Sequence, residues 1–484
     1  MKIGWGRAGD ERPKDGELGV ITHLPEGARV LCLGDLGECV GIANLGGTLT
    51  LRGSAGTMLG AFHVLGKTVV EKDVGDRVGL EMSGGEISIQ GSVGDEAGSG
   101  MSGGILLVRG HAGNRLGAGM SGGLVVVMGS VGSDPGVGMT GGRIVISGSC
   151  PPPPTGVKMR SIKKMEISEF SEILDPIGMS LNEDALVLES GEKSVESGEV
   201  PDFSISEGFE NISLFPNEDS LSESTPLDHY TSLVQDEESG GLLLKIPWMA
   251  NLGREFDSYS SEDSDSPAIV CSNTRKNDLL LVDKKGITSA INDIPNCSGV
   301  IFDISDFPGL NDAELQGILI SLRSRMSENS IMMLRGGVDR IERLFRLVMD
   351  LDLDGALVNC ATRCGSRLAS SLPKIGLTSK AMRVGETGKF VMIEVLHEPD
   401  ARELIIAVAA GFTALVSPPP KEGLSKKIEE LEKGVRGWMR EIGVDRIERI
   451  GRRNLRANDF DTASISGLRL VGYDRPLKMW LDLR

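Results

Sequence analysis

Aromatic residues are scarce in this chain, 4% of 484 positions, and histidine appears only 5 times. The histidines, His23, His63, His111, His229 and His397, are scattered, and none has a second ligand at metal spacing. The 7 cysteines are odd in number and no two stand as CxxC. That excludes a disulfide framework and leaves zinc and iron–sulfur sites without support. Long apolar runs are missing too: the longest, Leu404 to Val416, is too short to span a bilayer and lies between charges and prolines. The first residues, MKIGWGRAGDERPKDGE, lack the apolar stretch of a signal peptide. The expectation is a soluble, cytoplasmic protein with no membrane partner.

Basic charge is also in short supply. The net charge is −18, and residues 166–240 hold twenty Asp and Glu against the single Lys193, so the rest of the chain is close to neutral. The acidity belongs to one segment and argues against nucleic acid as a partner.

What the chain has in quantity is glycine, 65 residues. Between residues 34 and 148 it returns every nineteen positions, in columns such as Gly47, Gly66, Gly85, Gly104, Gly123 and Gly142. Another column runs through Gly41, Gly60, Gly79, Gly98, Gly117 and Gly136. A fixed period of this size marks stacked repeats. Between the glycines sit short β-branched and aliphatic runs such as TLTL (48–51), EISI (86–89), LVVV (124–127) and RIVI (143–146). Leu51, Val70, Ile89, Val108, Val127 and Ile146 fall in register, as do Met82, Met101, Met120 and Met139. Aligned apolar columns build a core that no single coil could bury alone. The reading is a right-handed β-helix of about seven 19-residue coils, in a domain over residues 1–155 that Pro151 to Pro154 bring to an end. His63 replaces the methionine column and is read as a distorted corner rather than a base.

Residues 156–240 read as an acidic, low-complexity, disordered linker, rich in Ser, Glu and Asp with single scattered apolars. From 241 to 484 the texture alternates strand and helix. Candidate strands are 242–247, 268–272, 279–283, 299–305, 330–334, 355–360, 390–395 and 413–417. A helix is expected after Asn311, a second over 338–349 and a third after Asp400. Eight short strands suggest an α/β domain, a degenerate (β/α)8 barrel, with an open sheet as the alternative because two connections look short. The last fifty residues read as amphipathic helix with a packed face through Ile428, Leu431, Val435 and Met439.

Two parts of the chain resemble one enzyme family. The units GMSGG (100–104 and 119–123) and GMTGG (138–142) resemble the GXGXG domain of glutamate synthase large subunits. The same repeat is similar to the β-helical subunit of formylmethanofuran dehydrogenases. LLLKIPWMANLG (242–253), LNDAELQGILISLRSRMSENSIMML (310–334) and the terminal segment 429–470 resemble the FMN-binding barrel domain of glutamate synthase. The two domains stand here in reversed order. The resemblance implies addition of glutamine-derived ammonia to 2-oxoglutarate, with FMN and an iron–sulfur cluster delivering electrons.

The family's site residues carry over poorly. No nucleophilic N-terminal cysteine and no iron–sulfur cysteine cluster are present, and the loop between the third and fourth strands is short. Leu334 or Arg335 stands where the family's lysine would approach the flavin. The expectation is therefore a scaffold or subunit in an ammonia-assimilating or related oxidoreductase assembly, partnered by other glutamate-synthase-like subunits, with a degenerate flavin site. The alternatives are an active FMN-dependent glutamate synthase and a structural subunit of a formylmethanofuran-dehydrogenase-like complex. No catalytic or metal-ligating residue is assigned. If flavin or phosphate binds, the candidates are Arg335, Gly336, Gly337, Asn359 and Gly365, all near strand C-terminal ends. Gly336–Gly337 also reads as a plain turn, and Cys360 and Cys364 as packing residues or a redox pair.

Overall fold

The computed structural model describes residues 2–3, 16–191, 208–218, 220–227, 231–232, 243–253, 266–307, 309–360 and 368–473. The chain divides into two compact units. One is Met1–Glu199 with Leu310–Ser324, and the other is Val200–Gly309 with Arg325–Arg484.

The first unit is built on seven parallel strands, β1 (Arg29–Leu33), β2 (Leu45–Arg52), β3 (Leu65–Val70), β4 (Glu86–Ile89), β5 (Ile105–Val108), β6 (Leu124–Val127) and β7 (Arg143–Ile146). Each pairs with the next at the nineteen-residue step, from Leu31↔Thr50 to Val126↔Val145. A second line of parallel bridges joins Ala55, Val74, Val93, Ala112 and Val131 at the same step. The two lines enclose one core that holds the Leu51 to Ile146 column and the four methionines. Burying each such side chain contributes about 1.5–3 kcal/mol.

Glycine is required at the corners for two reasons. The column from Gly41 to Gly136 lies entirely between φ +62° and +74°, where an L side chain is strained. At Gly53 a Cβ would stand 1.9 Å from the Gly34 carbonyl oxygen, so the coils touch backbone to backbone. Polar columns close the corners as well. Asp76, Asp95 and Asn114 each accept the backbone N–H of the residue nineteen positions on, at 2.7–2.9 Å.

The expected linker does not begin at residue 156. β8 (Val157–Ser161), α1 (Lys164–Leu174) and β9 (Leu186–Ser190) follow the stack, and β9 pairs antiparallel with both β7 and β8. The physical reason lies on the outer face of the strands. Thr50 and Ser88 are polar there, but the later coils present Leu107, Val126 and Val145, and α1 covers them with Phe170 and Leu174. The scattered apolars of this acidic stretch are thus a helical stripe. Arg160 bonds Glu166 and Glu189 at 2.6 Å each and holds the Glu166 carboxyl down at about 2. Residues 212–214 also depart from the linker reading, because they pair antiparallel with 455–457 in the second unit. Within the expected linker, residues 192–207, 219, 228–230 and 233–240 lie outside the described residues.

Helix α2 (Asp312–Arg323) belongs to the first unit. Asn311 caps it as expected, accepting the Glu314 N–H at 2.8 Å. Arg77 Nη1 meets Glu314 at 2.8 Å, and Gly317 leaves room for the Cys39 side chain.

The second unit contains a closed parallel barrel of eight strands. They are β10 (Trp248–Gly253), β11 (Ile269–Val270), β12 (Leu279–Val282), β13 (Gly299–Asp303), β14 (Ile331–Gly337), β15 (Gly355–Asn359), β16 (Phe390–Glu394) and β17 (Ala414–Ser417). β17 pairs back onto β10, Met249 opposite Val416, which removes the open-sheet alternative. One strand differs from the expectation: 242–247 is not the first barrel strand, and WMANLG is. Leu243–Leu244 pairs instead with 231–232, and Leu244 belongs to the core inside the barrel. Asn251 and Gly253 gave this strand the look of a loop, and partners on both sides overrode that preference. The helices are α3 (Ile341–Asp350), α4 (Leu368–Met382), α5 (Ala401–Ala409), α6 (Leu424–Ile442) and α7 (Phe460–Ser466). The two short connections hold no helix (271–278) and one of a single turn (Ala290–Asp293).

Candidate functional site at the barrel mouth

Strand alternation places the site. Met249, Leu281, Ile301, Met333, Leu357, Met392 and Val416 lie in the core of the barrel. Two residues further along the same strands, at the same parity, come Asn251, Asp283, Asp303, Arg335, Asn359, Glu394 and Pro418. Apolar layers therefore give way to a polar layer at the C-terminal ends, the face on which barrel enzymes carry their sites.

Arg335 is the centre of that layer. Its Nη1 is paired with Asp303, and its Nε donates to Glu394 Oε2 at 2.7 Å. Asn251 Nδ2 donates to the other oxygen of Glu394 at 2.8 Å. Arg335 is 16% exposed, Asp303 6% and Glu394 9%, so the network sits largely out of water. Burial works against the guanidinium charge, but the Glu394 and Asp303 carboxylates outweigh it and raise the Arg335 pKa. The side chains bridge β13, β14, β16 and β10 across the top of the core. Trp248 Nε1 donates to Ser417 Oγ at 3.0 Å, closing the last strand onto the first.

Above the network, a cavity of about 530 Å³ is bordered by Asn251, Cys271, Asp283 and Glu394, with Leu252, Leu396, Pro418 and Pro419 as apolar walls. Of the candidates from the sequence, Arg335 lies in the network. Gly336 and Gly337 continue β14, opposite Val358 and Asn359, and do not form a loop. Asn359 ends β15. Gly365, with Thr362, Arg363 and Cys364, lies outside the described residues. Cys360 follows β15, and burial pushes its thiol up to about 12, far from a thiolate at neutral pH. Sequence reasoning missed Asp303, Glu394 and Asn251. The signal was present, since each is the first polar residue at the inward parity of an otherwise apolar strand.

The strand ends at this mouth offer a flavin phosphate few donors. Barrels that hold a phosphate use backbone N–H groups after the seventh and eighth strands. Here the eighth strand is followed by Pro418-Pro419-Pro420, which have no N–H to give. The seventh ends in the carboxylate of Glu394, and Glu398 beyond it is already paired with Lys427 at 3.0 Å. The guanidinium that could meet an anion is held by two carboxylates.

No family model matches the chain, and no curated protein matches its sequence. Among solved structures it is similar to a flavocytochrome b2 mutant with benzoylformate, at 12% identity and TM-score 0.37, covering 57% of this chain and 81% of that one. It is similar to the monotopic membrane protein (S)-mandelate dehydrogenase at 10% identity and TM-score 0.34, with 52% and 89% covered. A soluble mutant of the (S)-mandelate dehydrogenase from Pseudomonas putida gives 12% and 0.34, with 52% and 88% covered. At such scores the likeness carries no argument, and the barrel rests on its own strand pairing. Among the described residues no helix is long and apolar enough to cross a membrane.

Proposed function

We propose that the chain is a relative of glutamate synthases that serves as a scaffold or subunit of an ammonia-assimilating or related oxidoreductase assembly. Its nineteen-residue stack is read as the β-helix of that family, and its barrel as an FMN-type barrel that has lost the flavin site. The observation that carries the reading is Arg335 held between Asp303 and Glu394, in a mouth whose last strand opens into three prolines. A guanidinium neutralised by two fixed carboxylates has little to offer an anionic cofactor.

The test is an absorption spectrum of the purified chain. No flavin band is expected to stay with the protein, either as purified or after incubation with FMN and desalting, and a stoichiometric yellow chromophore would sink the proposal. A gentle pull-down identifies the assembly. Glutamate-synthase-like subunits are expected on the beads, whereas molybdenum or tungsten subunits would point to the formylmethanofuran-dehydrogenase alternative.

A further inference from the structure

We propose that a second cavity, between α4 and the C-terminal segment of the barrel unit, binds an amphipathic carboxylate, a molecule with an apolar tail and one anionic head. The cavity measures about 380 Å³, inside the range of roughly 300–1,000 Å³ usual for small-molecule sites. Its walls are apolar: Leu372, Pro373 and Leu377 from α4 face Leu455 and Leu468. Leu377 is 66% exposed, a large apolar side chain left to solvent at the edge of the hollow.

The charges at this cavity all have one sign. Lys380 and Arg452 border it, and no carboxylate does. Arg452 Nη2 donates to the Gly467 carbonyl at 2.8 Å, which fixes the guanidinium at the rim. The Lys380 ammonium has no hydrogen-bond or ion-pair partner among the described residues. A carboxylate is the head group these two cations select, and the walls call for an aliphatic tail.

The sequence of α4 supplies an independent argument. Pro373 and Gly376, three apart on one face, are the two residue types that helix interiors disfavour most, and both border the cavity. Pro373 has no N–H for the carbonyl of Ala369. Gly376 is exposed at the edge of the hollow, where a Cβ would meet no atom within 4 Å and the entrance stays open. Local preference is set aside where the hollow is kept, a pattern expected of binding sites rather than of packing.

Sodium octanoate and octylammonium chloride, titrated separately into the full-length chain by calorimetry, test the assignment. Octanoate is expected to bind at one site and octylammonium more weakly. Arg452→Gln and Lys380→Gln should each weaken octanoate by about three- to tenfold, the effect of one ordinary hydrogen bond at an exposed rim. Gly376→Leu should block the entrance and weaken binding while the melting temperature holds or rises, because leucine favours helix. The proposal fails if octylammonium binds as tightly as octanoate, if Gly376→Leu leaves octanoate affinity unchanged, or if octanoate does not bind.

Discussion

Arg335 shows how a buried charge is tolerated: the two carboxylates satisfy it, and it satisfies them. Removing it strands Asp303 and Glu394 together, and such a loss typically costs about 3–5 kcal/mol. Arg335→Met should therefore lower the urea midpoint of the barrel unit sharply, and an unchanged midpoint would show that the network is not closed.

Two histidines give opposite pH signatures. His63 is buried, with Nδ1 3.1 Å from the Gly84 carbonyl and Nε2 3.3 Å from Thr68 Oγ1, and burial lowers its pKa from 6.5. The unfolded chain takes up this proton more readily, so stability should fall as pH drops below 6.5 and level off below the depressed value. His63→Gln should flatten that slope in a pH series of melting temperatures.

His397 is raised from 6.5, first by its bond to Glu403 and against the effect of burial. Its stabilisation is full below 6.5 and is lost as pH rises through the raised value. Glu403 is pushed up by burial but pulled further down by His397, and its stabilisation is lost as pH falls below 4.5 through the depressed value. The pair should contribute most between 4.5 and 6.5. His397→Ala should lower stability most inside that window, as measured by urea unfolding at stepped pH.

At the scale of elements, the nineteen-residue columns were legible because each position repeats one environment, so a single glycine or aliphatic residue is reinforced six times over. The elements after the stack repeat nothing, and their composition is acidic. Phe170 and Leu174 looked like stray apolars until the outer faces of Leu107, Val126 and Val145 showed what they cover. Truncating a buried phenylalanine costs about 3–5 kcal/mol. Phe170→Ala should weaken the cap by that order and speed amide exchange in β8 and β9 before the inner coils respond. Exchange spread evenly over the stack would count against the cap being a separate layer. The first barrel strand shows the converse case. Asn251 and Gly253 carry loop preferences, and pairing with β11 and β17 supplies what the local sequence does not.

For the whole molecule, two units with separate cores imply that unfolding is not one transition. Phe170→Ala and Arg335→Met should lower different calorimetric peaks, and a common shift of a single peak would reject that independence.

The sequence by itself determined the stack and the alternation of strand with helix, because both are periodic and periodicity needs no partner to be read. Strand polarity also ran along one chain at a time, apolar then polar at the inward parity. Only the tertiary structure decided that the barrel closes, that WMANLG is its first strand, and that Arg335 is clamped by Asp303 and Glu394. Those facts depend on residues up to 169 positions apart, Trp248 and Ser417 among them, meeting across a barrel. No local pattern encodes a partner that distant. The identity of that partner separates a free cation from a neutralised one.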